Sequence, residues 1–412
     1  MAPPGWPDIN AGCIVDDAHT PLFKGMDTFP TLHLDRSAAN AVKTGHPWVY
    51  RSDNLHVSGG TFARLIDDRE RFVGWGLCDD GAISVRVLGS QPRDIDNWRQ
   101  VLAERLLRAD GLRQRLLSDD TNAYRVVNGA GDGLPGLVID RYADLAVVRV
   151  YATSWEPHLD WIVSACRKLS WMKSLYRRLG VRNVDGRTGG ETCFGPPPED
   201  VVIISEHGMR MLVRPYVGQK TGLFLDQRHH RRVVGELSAG RRVCNLFAYT
   251  GGFSLAAALG GAARVTTVDV APEAIADAKE NFRLNGLEPN QHRFETADIF
   301  KWELGETTDL MVIDPPSLAR GKQAKNAAVR CYKQLHQRHA PCVTRDGLLA
   351  TSSCTAQLSF QEWRAAVAQG LDPWGWSWLT ESRAPPDHPV ALGHPEGQYL
   401  KFSLLRRLAK RR

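Results

Sequence analysis

The chain has 412 residues, 52 lysines and arginines against 46 aspartates and glutamates, a net charge of +6, and 24% charged and 43% hydrophobic residues. That composition excludes a disordered tail or a fibre and is long enough for two or three domains with their own cores. Eight scattered cysteines without a C-x-x-C pair argue against structural zinc and against a disulfide framework.

Residues 1–28 are rich in proline, glycine and aspartate and are expected to be a poorly ordered leader. MAPPGWPDINAG has neither a basic start nor an apolar run, and no long apolar span follows anywhere. The expectation is a cytoplasmic chain with no membrane segment. From residue 29 to 95 short alternating strands such as Phe62 to Ile66 and Ile83 to Val87, broken by glycines, predict a small β barrel. Gly45 to Tyr50 forms an aromatic turn in which Trp48, Tyr50 or both belong to the core. Residues 96–118 read as a connector helix, with leucines at helical spacing from Trp98 to Leu117.

Residues 119–214 predict a small α+β unit. Its strands are Tyr124 to Val127, Leu137 to Asp140 and Ala146 to Tyr151, followed by a helix from Pro157 to Leu169. Gly189 to Pro198 reads as a loop, and Val201 to Ser205 with Met209 to Val213 as a hairpin. The GDGLPG turn at Asp132 reads as a structural hairpin rather than a catalytic one. GQKTGLFLDQR follows, from Gly218 to Arg228. Gln219 offers an amide and Lys220 a cation between glycines, while Asp226 and Arg228 are open to reading as a surface ion pair or, for Arg228, as a ligand contact.

From Arg242 the pattern becomes strand, turn, helix, strand, acid. Val243 to Phe247 suits a strand buried on both faces, and Thr250, Gly251 and Gly252 supply a tight turn. Phe253 to Leu259 predicts a helix whose free amides face the turn, and Arg264 to Val268 a strand ending in Asp269, about twenty residues on, where an acid meets ribose hydroxyls. One glycine pair behind Phe247, Ala248, Tyr249 and Thr250 is too bulky for a pyrophosphate loop. S-adenosylmethionine, which carries no phosphate, fits better. Phe247, Tyr249, Thr250, Gly251 and Asp269 are then cofactor candidates. Pro272 opens the next helix, Asn285 and Gly286 end it, and Asp298 after the third strand is placed for adenine. Leu310 to Ile313 runs into Asp314, Pro315, Pro316 and Ser317, fixed by two prolines at a strand's C-terminal end, where open α/β sheets bind ligands. Gly347 turns into a fifth strand, Leu348 to Ser352, which brings Cys354 to the same rim. Trp374, Trp376 and Trp378 share a face of a late strand and are expected in the core. Tyr399 to Leu404 is the last strand, and RRLAKRR from Arg406 a basic tail.

VCNLFAYTGGFS, NFRLNG, DPPSLAR, SSCT and GQKTGLFLDQR together resemble the RlmI-type ribosomal RNA methyltransferases that make 5-methylcytosine. The resemblance covers nearly the whole chain after the first thirty residues. It implies a Rossmann-like seven-stranded class I methyltransferase domain at 215–412, after a PUA-like RNA-binding domain at 29–95 and the small α+β domain. It also implies S-adenosylmethionine as cofactor, held by Gln219, Lys220, Phe247, Tyr249, Thr250, Gly251, Asp269, Asp298, Asp314 and Pro315. The implied partner is ribosomal RNA of the 23S class, without metal or membrane, and a homodimer is compatible with it.

Carbon 5 of cytosine is a poor nucleophile, so a thiolate must first add to carbon 6. Cys354 is the candidate nucleophile, and Asp314 the candidate donor to ring nitrogen 3, which requires a raised pKa. A buried, inert thiol is the alternative for Cys354. Two rivals stand beside this reading: a guanine-N7 RNA methyltransferase, which needs no thiol, and a non-catalytic RNA-binding protein that keeps the cofactor fold. Thr355 and Leu318 depart mildly from the family pattern, which expects serine and phenylalanine there, and bear on which nucleotide is modified.

Overall fold

The computed structural model describes residues 29–51, 57–180, 188–319 and 324–408. The leader, Cys13 and the end of the basic tail lie outside them. Three lobes follow one another along the chain. The first holds β1 (Thr31–His33), α1 (Arg36–Lys43), β2 (Trp48–Tyr50), β3 (Phe62–Ile66), β4 (Phe72–Cys78) and β5 (Ile83–Gly89), in the sheet order β1-β3-β4-β5-β2. Asp35 caps α1 by accepting from the Ala38 amide at 2.8 Å. Gly76 allows β4 to lie tightly on β5, because a Cβ there would fall 2.5 Å from the Arg86 carbonyl oxygen. Tyr50 is 55% exposed and Trp48 half-buried, edge-on to His394 at 4.2 Å between ring centroids.

Helix α2 (Trp98–Leu116) joins this lobe to the second, where β6 (Ala123–Asn128), β7 (Leu137–Tyr142), β8 (Leu145–Val150), α3 (Leu159–Cys166), β9 (Ser174–Arg178) and β10 (Gly190–Phe194) form the order β10-β9-β8-β7-β6. β8 and β9 run parallel around α3, and the other pairs antiparallel. Two expectations are corrected here. The helix begins at Leu159, because Thr153–His158 is a 3-10 turn around Pro157. Residues read as a Gly/Pro loop contain β10 instead: the breakers flank Gly190–Phe194 rather than interrupt it, and Glu191 pairs across the ladder with Arg177 on a half-exposed edge. Asp132 is structural, as expected: Arg113, buried in α2, grips its two oxygens at 2.6 and 2.8 Å.

The hairpin β11 (Val202–Glu206) and β12 (Met209–Val213) leads into the third lobe. It contains α4 (Arg228–Glu236), β13 (Arg242–Leu246), α5 (Gly252–Leu259), β14 (Arg264–Asp269), α6 (Pro272–Leu284), β15 (Arg293–Thr296), β16 (Thr308–Ile313), α7 (Lys325–His339), β17 (Val343–Ser353), α8 (Phe360–Gln369), β18 (Trp376–Ser382) and β19 (Lys401–Arg407). Its seven strands run β15-β14-β13-β16-β17-β19-β18, parallel from β15 to β17 and antiparallel for β19 and β18. The strand order reverses beside β13, the position where open α/β sheets bind ligands. β17 starts earlier than its sequence suggests: Gly347 sits inside it, next to Asp346 with φ of 61°. Trp374 precedes β18 and is 88% exposed, so the expected core trio is a pair, Trp376 and Trp378.

Candidate active site

At the C-terminal ends of β13, β14, β16 and β17 one cavity is lined by Gln219, Lys220, Phe247, Tyr249, Thr250, Asp269, Asp314, Pro315 and Cys354, nine of the residues singled out from sequence. Gly251 is the N-cap of α5 with φ of 77°, which suits glycine, and a Cβ there would lie 2.8 Å from the Ala278 Cβ. Asp298 is not among the lining residues. Its carboxylate accepts from the Phe300 amide at 3.1 Å and stands 3.7 Å from Lys301. Lys220, Phe247 and Tyr249 also have positive φ, at 53°, 60° and 50°. Backbone strain of that kind in non-glycine residues gathers where a loop is held to a ligand-binding shape.

The loop before α4 is tied down from the second lobe. The Thr221 hydroxyl donates to Asp140 at 2.5 Å and shares a 2.9 Å hydrogen bond with Tyr142. The Gln219 backbone N–H donates to the Tyr249 hydroxyl at 2.9 Å, which joins this loop to the one after β13. Asp269 accepts from Tyr249 N at 2.8 Å through one oxygen and from Ala271 N at 3.0 Å through the other. Each oxygen keeps a free lone pair while the carboxylate lines the cavity, which is the acceptor capacity two ribose hydroxyls require.

The cations differ from their sequence reading. Arg228 is buried and pairs with Asp387 at 2.5 Å, so it is neither a surface partner of Asp226 nor a lining residue. Asp226 instead pairs with Lys220 at 2.7 Å and accepts from the Tyr399 hydroxyl at 2.5 Å. Lys220 thus has a packing task, its Nζ lying 4.5 Å from the Phe224 ring centroid, and it still faces the cavity. Burial pushes the Asp226 carboxyl up, but Lys220 and His388 overcome that and hold it below the usual range. Arg231 also lines the cavity, with its guanidinium fastened to buried Glu206 at 2.7 and 2.5 Å.

Asp314 and Cys354 face one another's field. Burial pushes the Asp314 carboxyl up to about 6; the Ser352 hydroxyl, which donates to its Oδ1, opposes this, and Asp226 adds to it. Burial likewise pushes the Cys354 thiol up to about 11, with Lys220 pulling down and Asp314 raising it. Gln227 Nε2 donates to Asp314 Oδ1 at 2.9 Å. Asp226, read from sequence only as a candidate surface partner of Arg228, and Gln227, not singled out at all, both belong to the quoted GQKTGLFLDQR. The apolar Leu223 and Leu225 beside them were the available signal, since they turn this stretch inward.

The comparisons agree with this geometry. Residues 163–357 match a family model described as S-adenosylmethionine-dependent methyltransferase, and residues 32–90 match one for a PUA-like domain. A SAM-dependent methyltransferase from Streptococcus mutans has the same fold, with a TM-score of 0.80 at 24% identity over 92% of this chain and all of that one. A methyltransferase solved in complex with SAH gives 0.81 at 25% identity, over 92% and 100%. The fold and site define a class I S-adenosylmethionine-dependent methyltransferase. The ribosomal RNA large subunit methyltransferase of Deinococcus radiodurans is 37% identical over 91% of this chain and 96% of its own length. Ribosomal RNA large subunit methyltransferase I of Tolumonas auensis is 34% identical over 91% and 99%. The chain belongs to the ribosomal RNA large subunit methyltransferase I family.

Proposed function

We propose that the chain methylates carbon 5 of a cytosine in large-subunit (23S) ribosomal RNA, in the cytoplasm, through a covalent bond between Cys354 and carbon 6. The observation that carries this reading is the meeting of a thiol, a carboxyl with a raised pKa and the ribose-type acid Asp269 in one cavity. In this reading residues 29–95 bind RNA, 119–214 connect, and 215–412 hold the chemistry. In it Asp269 and the α5 N-terminus hold the cofactor's adenosine and Lys220 its carboxylate, while Asp298, which lies off the cavity lining, is left as the adenine contact that the family resemblance implies.

The cofactor, when bound, supplies an electrophilic methyl group. Cys354 Sγ, as thiolate, adds to carbon 6; the ring π electrons shift toward nitrogen 3, which takes the proton of Asp314. Carbon 5 is thereby an enamine carbon, whose electron pair would take the methyl group as the methyl–sulfur bond of the bound cofactor breaks and its pair stays on sulfur, leaving S-adenosylhomocysteine. Loss of the carbon 5 proton returns its electron pair to the C5–C6 bond, the C6–S bond breaks, and the nitrogen 3 proton goes back to Asp314. The Pro315–Pro316 pair fixes the Asp314 backbone at the strand end. Guanine-N7 methylation uses a ring nitrogen as nucleophile and would leave Cys354 without a task.

Transfer of tritiated methyl groups from S-adenosylmethionine to unmodified ribosomal RNA, followed by nucleoside analysis, tests the reading. Labelled 5-methylcytidine that disappears in Cys354→Ala is expected. Labelled 7-methylguanosine, unchanged in Cys354→Ala, would overturn it.

A further inference from the structure

Lys401 opens β19, where it pairs directly with Ser353 at the end of β17, one residue before Cys354. It is 2% exposed. Its Nζ donates to the carbonyls of Thr355 at 3.0 Å and Tyr399 at 2.8 Å, and among the described residues it makes no ion pair with a carboxylate. A buried lysine without a counter-ion is rare, because removing an ammonium from water costs more than two carbonyls return. Something in the working site must compensate it. Burial pushes Lys401 down to about 8, against the pull of Cys354 in the other direction, and Arg383 lowers it further. Cys354 has the mirror-image problem, since burial holds its thiol protonated. The groups that act on Cys354 are Lys220, Asp314 and Asp226, and it acts in turn on Lys401, Tyr332 and Tyr399.

The turn carrying Cys354 is fixed on its other side. The Tyr332 hydroxyl donates to Ser353 Oγ at 2.8 Å and shares a 3.0 Å hydrogen bond with Thr355 Oγ1, while the Leu318 amide donates to that same oxygen at 3.2 Å. The reaction needs Cys354 as thiolate while Asp314 keeps its proton, although the thiol titrates well above the carboxyl. The reacting combination is therefore a minor population, and a fixed cation behind the turn raises it.

We propose that Lys401 is a positioning residue for Cys354: its ammonium pins the Ser353–Thr355 turn through the Thr355 carbonyl and supplies the counter-charge under which Sγ loses its proton. The S–H bond breaks, the electron pair stays on sulfur, and the proton leaves through the cavity to solvent while the ammonium keeps its three hydrogens. This rests on the reading of Cys354 as the nucleophile, yet its test does not need RNA.

In the full-length protein, the rate of alkylation of Cys354 by iodoacetamide is followed against pH by peptide mass spectrometry, in wild type, Lys401→Met, Lys401→Gln and Lys401→Arg. Met and Gln variants are expected to react roughly tenfold more slowly at pH 7, where Lys401 is still an ammonium, and to converge on wild type at pH 9 and above, where it is neutral. Arg is expected to keep the wild-type rate at pH 7, and methyl transfer to follow alkylation across the series. Gln retains a donor for Thr355, so it carries the test if Met does not fold. An unchanged Cys354 profile in a folded Gln or Met variant would overturn the proposal. Methylation of cytosine by Cys354→Ala would instead overturn the nucleophile assignment, leaving the alkylation result to stand alone.

Discussion

In the proposed reaction Asp314 donates through whichever of its oxygens is free. Oδ1 accepts from the Gln227 amide at 2.9 Å and from the Ser352 hydroxyl, so the proton belongs on Oδ2. Gln227 is oriented in turn: its Oε1 lies 2.5 Å from His230 Nδ1, and His230 Nε2 is 2.9 Å from the Ser382 hydroxyl. Burial pushes His230 down to about 3, so the imidazole is neutral, and the network assigns its hydrogen to Nδ1. The sign for Asp314 follows. Its donating form exists below its pKa, so the part of the rate that depends on it falls as pH rises through about 6. The Ser352 hydrogen bond favours the carboxylate, and Ser352→Ala is expected to move that falling limb of kcat to higher pH, whereas an unmoved limb would remove Asp314 as the donor. Asp269, Asp314 and Cys354 were legible in sequence because each ends a recognisable strand. Gln227 and Ser352 were not, being 87 and 38 positions from Asp314 and brought to it by packing alone.

The strand–turn–helix–strand unit from β13 to β14 was legible because period, glycine turn and terminal acid agree over one short stretch. Elements lacking such local agreement were missed, notably the edge strand β10, whose flanking glycines and prolines mask it. The connection between β18 and β19 was legible only in its last residues. Its Asp387 pairs with Arg228 of α4 at 2.5 Å and crosses to the second lobe by accepting from the Arg125 backbone amide at 3.1 Å, while Arg113 of α2 donates to its carbonyl at 2.8 Å. Burial pushes the Asp387 carboxyl up, but His388 and Arg228 outweigh this and hold it below the usual range. With a depressed folded pKa, its stabilisation is present above the unfolded value near about 4 and is lost as pH falls below it. Asp387→Asn leaves a guanidinium buried without its partner and is expected to cost about 3–5 kcal/mol in urea unfolding at neutral pH. A loss below about 1 kcal/mol would mean that Arg228 finds other compensation.

At the scale of the whole molecule the three lobes share their interiors. One core runs from Phe62, Trp75 and Leu88 through Leu102 and Leu106 of α2 to Val126, Ile139 and Trp155. A second runs from Tyr142, Val147 and Tyr176 of the central sheet through Met211 to Val243, Leu255 and Phe402. Sequence patterning separates lobes by their periods and linkers but is blind to side chains that pack across a linker. Continuous cores couple unfolding of one lobe to the next. Scanning calorimetry of the full chain is expected to show one dominant transition, and three well-separated transitions would contradict that coupling. Among the described residues no helix is long and apolar enough to cross a membrane.

The central claim is the bond between Cys354 and carbon 6 of cytosine. Fluorine at carbon 5 leaves no proton to remove, so the bond cannot be released once the methyl group has been transferred. Ribosomal RNA containing 5-fluorocytidine is therefore incubated with the protein and S-adenosylmethionine, and the denatured, digested product is examined by mass spectrometry. The expected result is a nucleotide attached to the peptide containing Cys354, absent in Cys354→Ala. Normal 5-methylcytidine formation on ordinary RNA by Cys354→Ala, with no adduct on the wild-type peptide, would contradict it.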